Sequence, residues 1–596
     1  MTVIAVEPEK PIGMPGHRAI EDSYALSPLQ QGMLFHTLYA REPGVDIEQF
    51  LFTIHANLDI EAFARAWRQV VDRHPILRTS FRWDGLDEPH QEVHALAHLK
   101  LHHEDWRSVR SVDQQARLED YLQNDRIRGF DLTRAPLMRI GLFHIGERDF
   151  HFVLTFHHLL LDGRSLVEVL RQTHAFYEAL CDDASLCLEP PRPFREHIES
   201  LQQIDMSRAE RFWRSTLSGF TSPTPLPEAR NPGAISGDQT GHDEQAIRLT
   251  AALTSTLKTL ALENGVTLYT LVEAAWALLL SRYSGEADVV FGGIRACRGS
   301  SDGAESVGLF INTLPIRVTV PEDQPLSSWL KELRAQHLNL REYENTPLPK
   351  IQEWSEVISR RPLFDSILMF ENYDLQSLVQ SHWTNWEIRD LQLFEETSYP
   401  LSLSGWSGET LLLKIEYDRQ RFDQAMVRRM LGHLMTMLEG MSSHVHEPVS
   451  TLPMLTAAER HQIVVEWNSN NSINSPRTSV DRMFEEQAAK APDAVAVICA
   501  NAQLTYGELN RRANQLAHYL TSLGVGPEKL VGLLVGRSTE MIVGLLGILK
   551  AGGAYVPLDS AYPTERLAAM LADSSAPVLL TLEQLARELP ATDARV

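Results

Sequence analysis

Cysteine is scarce in this chain, with four in 596 residues (Cys181, Cys187, Cys297 and Cys499). That is too few and too scattered for a disulfide framework. The closest pair has five residues between its members, which is not the spacing of a zinc knuckle. A reducing, cytoplasmic setting is expected. Long apolar runs are missing as well. The most apolar stretch, VGLLVGRSTEMIVGLLGILKAGG, is interrupted by Arg537, Glu540 and Lys550, and its longest clean run of about nine residues is too short to span a bilayer. The first twenty residues have no basic start followed by an apolar core, so they do not form a signal peptide. Positive charge is in deficit. Lys plus Arg number 55 against 78 Asp plus Glu, a net charge of −23, which excludes the phosphate-driven affinity of a nucleic-acid binder. Among 23 histidines there is no HExxH motif and no Cys/His ligand cluster, so no metal site is expected.

What remains is an ordinary soluble composition, 43% apolar and 22% charged. The length predicts roughly four domain-sized units. Residues 1–22 are a polar leader with Pro11, Gly13, Pro15 and Gly16. Residues 58–73 place Ile60, Phe63, Trp67 and Val70 on one helical face, with Asp59 as a possible cap. Residues 138–145 and 149–156 read as strands around a GERD turn, and 165–180 as a helix capped by Ser165. A Pro-rich connector (187–194) follows. A second alternation then appears: an apolar helix at 266–285 and strands at 287–293 and 309–320. Two α/β lobes are therefore expected, then a linker and a third α/β region from about 478.

The sharpest local feature is TFHHLLLDGRS, which sets His157, His158, Asp162 and Gly163 between a strand and a helix. Adjacent residues on an extended strand point to opposite faces, so one histidine can line a cavity while the other packs. Histidine titrates near neutrality and can take or give a proton. Asp162 needs a cationic partner if buried, and Gly163 suits a tight turn.

HHLLLDG stands in order with LSPLQQGMLFHTL (26–38), RHPILRTSF (73–81), VGLFINTLPIRV (307–318) and RRPLFDSILMF (360–370). This set resembles the condensation domains of nonribosomal peptide synthetases. Beyond a linker at 451–477, LTYGELN (504–510) and LKAGGAYVPLD (549–559) resemble the opening motifs of an amino-acid adenylation domain. That family's later TSGTTGxPKG phosphate loop, hinge, catalytic lysine and LGGxS carrier motif are not in the sequence, so no adenylation by this chain is expected.

The resemblance implies an α/β fold of two chloramphenicol-acetyltransferase-like lobes in a V-shaped pseudo-dimer, 23–190 and 191–450, plus a partial adenylation subdomain, 478–596. Residues 292–306 would be a floor loop under the site, and a stretch near 380–400 would cross back to the first lobe. The implied reaction joins a thioester-bound acyl donor to the α-amine of an aminoacyl acceptor, both on phosphopantetheine arms or with the donor on CoA. The implied partners are donor and acceptor carrier proteins or an acyl-CoA. No covalently bound cofactor, nucleic acid or membrane is expected, and a monomer is. His158 would stand beside the attacking amine, as base or as positioner, and His157 would support the loop. Arg298 would pair with Asp162, with Arg78 as a second arginine near the site and Asn312 lining the groove between the lobes. Arg164, which follows the DG pair, is a candidate for a pantetheine or CoA phosphate.

Three rival readings carry less. Gly299-Ser300-Ser301-Asp302-Gly303 fits the GxSxG pattern of serine hydrolases but lacks the strand-to-helix flanks of a nucleophile elbow. Epimerisation, heterocyclisation and free-standing acyltransferase relatives differ at the histidine motif or in the region that follows. A non-catalytic recruitment module would be expected to have a damaged motif. For the donor, the leader makes a poor docking helix, which favours a starter domain taking a fatty acyl group. SPLQQGMLFHTL is more similar to the motif of domains that accept a D-configured peptidyl donor. Of the two, a starter domain using a fatty acyl donor on CoA or a carrier is the expectation, and an elongation domain with a peptidyl donor the alternative.

Overall fold

The computed structural model describes residues 19–39, 44–227, 241–298, 306–358, 361–371, 379–381, 383, 385–395, 397–469, 478–499, 502–587 and 589–596. Most of the leader and the Gly299–Gly303 hydrolase pattern lie outside the described residues, as do residues 299–305 of the expected floor loop, whose residues 292–296 belong instead to a strand. Two compact units are present, Met1–Ile463 and Val464–Val596.

The first half of unit 1 runs β1 (Ile20–Ala25), α1 (Pro28–Tyr39), β2 (Ile47–His55), α2 (Ile60–Arg73), β3 (Thr79–Arg82), β4 (His90–His94), β5 (Leu101–Asp105), α3 (Ser111–Arg128), β6 (Met138–His144), β7 (Asp149–His157) and α4 (Gly163–Cys181). The second half runs α5 (Phe194–Leu201), α6 (Met206–Thr216), β8 (His242–Arg248), α7 (Ala251–Glu263), α8 (Leu268–Ser284), β9 (Asp288–Ala296), β10 (Ile311–Thr319), α9 (Leu326–Leu340), α10 (Leu348–Trp354), β11 (Ser366–Glu371), β12 (Glu387–Phe394), β13 (Leu401–Ser407), β14 (Leu411–Asp418) and α11 (Gln424–Ser443).

Local chemistry sets these limits. Asp59 accepts hydrogen bonds from the Glu61 and Ala62 amides and starts α2, whose Phe63, Trp67 and Val70 are buried. Thr267 and Thr270 cap α8 reciprocally, and Gly285, in the left-handed conformation at φ +79°, ends it. For α4 the cap is Asp162, not the expected Ser165. The carboxylate accepts from the Ser165 amide, so α4 begins at Gly163, two residues before the expected helix.

Each half builds one large sheet. The second has the order β10-β9-β11-β13-β14-β8, with α8 and α11 buried against it. The first has the order β12-β2-β7-β6-β5. Strand β12 belongs to the second half in sequence yet pairs antiparallel with β2, Ile388 opposite Ile54 and Phe394 opposite Gln49. Trp383 and Trp386 anchor it in the first core, and the Trp383 indole donates to the Leu170 carbonyl at 3.1 Å. Phe194 and Ile198 of α5, with Val307, Leu309 and Phe310, also join that core, so core membership does not change at a single point near residue 190. Thr456 and Glu459 form a reciprocal cap after α11, and Glu459 also meets His433 at 3.1 Å.

Unit 2 has a three-stranded parallel sheet built from Leu530–Leu534, Ala554–Pro557 and Val578–Thr581, plus a two-stranded hairpin of Val495–Cys499 with Ala502–Thr505. No described helix is long and apolar enough to cross a membrane.

Candidate active site

The end of β7 divides the histidine pair. His157 is the last residue of the strand and is 1% exposed. Its Nδ1 accepts from the Leu159 amide at 3.2 Å, and its Nε2 lies 3.3 Å from the Thr37 hydroxyl. Thr37 in turn donates to Asp46 at 3.0 Å. Burial, and then the neighbouring His158 charge, push the His157 imidazole down to about 3, so it is neutral at physiological pH.

His158 has left the strand. Its amide donates to the carbonyl of Asp46, a non-glycine residue held at φ +60°. Its side chain borders a cavity of about 610 Å³. Nδ1 lies 2.9 Å from the Leu161 carbonyl and 2.8 Å from Oε1 of Glu48, whose side chain is 5% exposed. That Glu48 oxygen makes no hydrogen bond of its own, because the Nδ1–H is directed at Leu161 and the carboxylate meets the ring as a charge. Burial opposes protonation of His158. The Glu48 carboxylate, then Glu395 and the Leu161 carbonyl, outweigh it and raise the imidazole to about 10. With Nδ1 held by protein, Nε2 is the ring nitrogen left for a ligand.

Four residues further on lies a closed network. Asp162, 3% exposed, meets Arg298 at 2.9 and 3.2 Å. The same carboxylate accepts from the amides of Ser165 at 2.7 Å and Phe310 at 3.0 Å. Arg298 also donates to the Ser165 hydroxyl and the Ser306 carbonyl, and stacks 4.2 Å from the Phe310 ring centre. The Ser165 hydroxyl donates to the Gly308 carbonyl at 2.7 Å and accepts from the Gly308 amide at 3.0 Å. Gly308 is needed for this approach, since a Cβ there would overlap the Phe194 ring. The network ties the start of α4 to the segment before β10.

The other sequence candidates fall in different places. Asn312 is buried on β10, lines the cavity, and donates to the Glu344 and Thr346 carbonyls at 2.9 Å each, which fixes the segment leading into α10. Gly163 borders the cavity as the first residue of α4, but its backbone is not in the left-handed region, so the turn does not require a glycine there. Arg78 is buried away from the cavity lining. It donates to Glu21 at 2.8 Å and to the His94 carbonyl, because β1 and β4 close over it, and its expected place near the site is corrected accordingly. Arg164 is exposed in the first turn of α4 and is not part of the lining.

Sequence reasoning missed two acidic residues that line the cavity with His158. Glu48 carries a detectable signal, a carboxylate inside the apolar run IEQFLFTI, where a buried charge needs a partner. Glu395, one residue past β12, carries none, because its position depends on the crossing strand. Burial, then Glu48, push the Glu395 carboxyl up to about 8, against the pull of His158 and Lys414. Both lobes supply the walls: Pro28, Leu29 and Met33 from α1 on one side, Ile294, Ile367 and Trp406 on the other. Among the described residues no cluster of side chains is able to hold a metal ion.

The chain matches the family described as Condensation domain over residues 20–464 and that described as AMP-binding enzyme over 484–596. Linear gramicidin synthase subunits C and B of Brevibacillus parabrevis are each 44% identical to it, over 97% and 98% of this chain. Bacitracin synthase 3 of Bacillus licheniformis is 34% identical over 96%. The chain spans about a tenth of the length of these relatives, 8%, 11% and 9% respectively. Among solved structures, the nonribosomal peptide synthetase FmoA3 aligns with a TM-score of 0.76 at 22% identity, over 99% of this chain and 61% of that one. The starter condensation domain of rhizomide synthetase RzmA aligns with a TM-score of 0.61 at 18% identity, over 73% of this chain and 100% of that one. At these identities the two structures speak for the fold. The family match over residues 20–464 says more: the chain belongs to the condensation domains of nonribosomal peptide synthetases, acyltransferases that form amide bonds, and continues into the N-terminal part of an AMP-binding domain.

Proposed function

We propose that the cavity at His158 is where the α-amine of a carrier-bound aminoacyl group attacks a carrier-bound peptidyl thioester, so that this is an elongation rather than a starter domain. The observation that carries the reading is the arrangement of His158, whose Nδ1 is held by Leu161 and Glu48 inside a cavity walled by both lobes. Glu48 keeps the ring cationic at neutral pH, so Nε2–H donates rather than accepts. A donor so placed stabilises the oxyanion that forms as the thioester carbonyl is attacked, and positioning the two arms supplies much of the remaining acceleration. The Asp162–Arg298 network holds the loop that carries it.

The lining is mostly apolar, with Asp46, Glu371, Glu395 and Thr313 setting polar groups along it, and this mixture suits a peptide, whose side chains can be apolar while its backbone is polar. The linear gramicidin synthase relatives support the same choice. The test supplies the full chain with an aminoacyl carrier protein and either a dipeptidyl carrier protein or octanoyl-CoA, with mass spectrometry of the acceptor. Transfer of the dipeptide is expected. Transfer of octanoate alone restores the starter reading, and transfer of neither counts against condensation.

A further inference from the structure

A cationic His158 leaves one step of the reaction without a residue. The attacking amine must lose a proton, and an imidazolium cannot take it. We infer that Glu395, which lines the same cavity as His158, is the proton-transfer group of the condensation, taking the proton from the acceptor's nitrogen; this rests on the function proposed above.

The placement comes from topology. β12 leaves the second half of the chain, adds to the edge of the first sheet beside β2, and ends at Phe394. The next residue, Glu395, is thereby brought to the cavity that Glu48 of β2 and His158 also line. Glu395 lies within electrostatic range of both, and of Lys414 and Glu416 on β14. These neighbours have other commitments. Lys414 meets Glu244 at 2.9 Å, Glu416 accepts from the Thr397 amide at 3.0 Å, and Glu48 faces the His158 ring. No described residue makes a side-chain hydrogen bond to Glu395, so its carboxyl is the acid in this wall left for a ligand. Asp46, Glu371 and His36 complete the charged lining. A carboxyl raised to about 8 is matched to accepting and returning a proton near neutral pH.

The step balances. The amine lone pair forms the new C–N bond, and the carbonyl oxygen takes negative charge opposite the His158 Nε2–H. The Glu395 carboxylate then takes one N–H proton. As the C–S bond breaks, its electron pair leaves with sulfur, and Glu395 returns the proton to give the free thiol. Donor thioester and amine become amide and thiol, and Glu395 ends as it began.

The experiment compares the full-length wild type with Glu395→Gln and Glu395→Asp, using a dipeptidyl carrier protein and an aminoacyl carrier protein, and reads kcat, KM and pH profile. Glu395→Gln is expected to lower kcat about 100-fold with KM within threefold, and to abolish the acidic limb of the wild-type profile. Glu395→Asp is expected to recover part of kcat and the limb. Thermal melting within a few degrees of wild type excludes unfolding as the cause. Full activity and an unchanged pH profile in Glu395→Gln would overturn this inference while leaving condensation at His158 standing. A wild type that forms no amide would remove the underlying function, and this inference with it.

Discussion

Two charged networks stand four residues apart and are built on opposite principles. Around Asp162 every polar group is matched: the carboxylate has Arg298 and two amides, and Arg298 has Ser165, Ser306 and the Phe310 ring. Around His158 the matching is incomplete: Glu48 Oε1 has charge but no hydrogen bond, Glu395 has no donor among the described residues, and His158 Nε2 is open to a ligand. A saturated buried network resists change in geometry and chemistry, whereas an unsaturated one keeps capacity to bind and to move protons. Both carry the family motif, but the first is a fastening and the second a reagent.

The comparison breaks most visibly at Arg298. Arg298→Ala leaves Asp162 buried without its cation and is expected to destabilise unit 1 by about 3–5 kcal/mol in urea or thermal unfolding. A change under about 1 kcal/mol would mean that the closed network is not a fastening. His158→Gln should do the reverse, with amide formation down about 100-fold by mass spectrometry and melting within a few degrees of wild type.

Glu48→Gln sharpens the contrast through pH. The folded-state value of His158 lies above its ordinary one near 6.5, so its stabilisation is complete below that pH and is lost as pH rises through about 10. His157 is displaced the other way. The unfolded chain binds its proton first, so this residue removes stability as pH falls from about 6.5 towards 3. Glu48→Gln should bring the His158 titration, followed by NMR, back towards its ordinary range while the acid-side His157 effect persists. A His158 value still near 10 would show that Glu48 is not its cause. The smallest effect is expected at Arg164. Being exposed, Arg164→Ala should change stability by less than about 0.5 kcal/mol. Its proposed phosphate contact should appear as a higher KM for carrier- and CoA-bound donors, and an unchanged KM for both would remove that role.

Much of this was legible in the sequence, for definite reasons. The α2 face, the α8 run and the strands flanking GERD follow from periodicity and capping, which act locally. That one histidine packs while the other lines a cavity is expected from strand alternation, but the structure separates them by ending β7 at His157 and turning the chain before His158. Arg298 could be named as the partner of Asp162 because a buried carboxylate demands a cation and the resemblance offered one. Arg78 was misplaced because an arginine motif gives no indication of which face its guanidinium takes. Here Glu21 and the His94 carbonyl claim it. Glu395 was invisible because its role depends on a strand pairing formed across more than 300 residues, Phe394 against Gln49.

That pairing also orders events in time. β2, with its apolar sequence, is an open sheet edge until β12 arrives, and open apolar edges invite wrong partners. On a ribosome, β2 emerges early and β12 only after most of the second half has been made, at a pace of about 5–20 residues per second. The first lobe therefore spends tens of seconds of synthesis without its outer strand. Its sheet is finished by a strand made more than 300 residues later, and the wall that carries Glu395 is among the last parts of the cavity to exist.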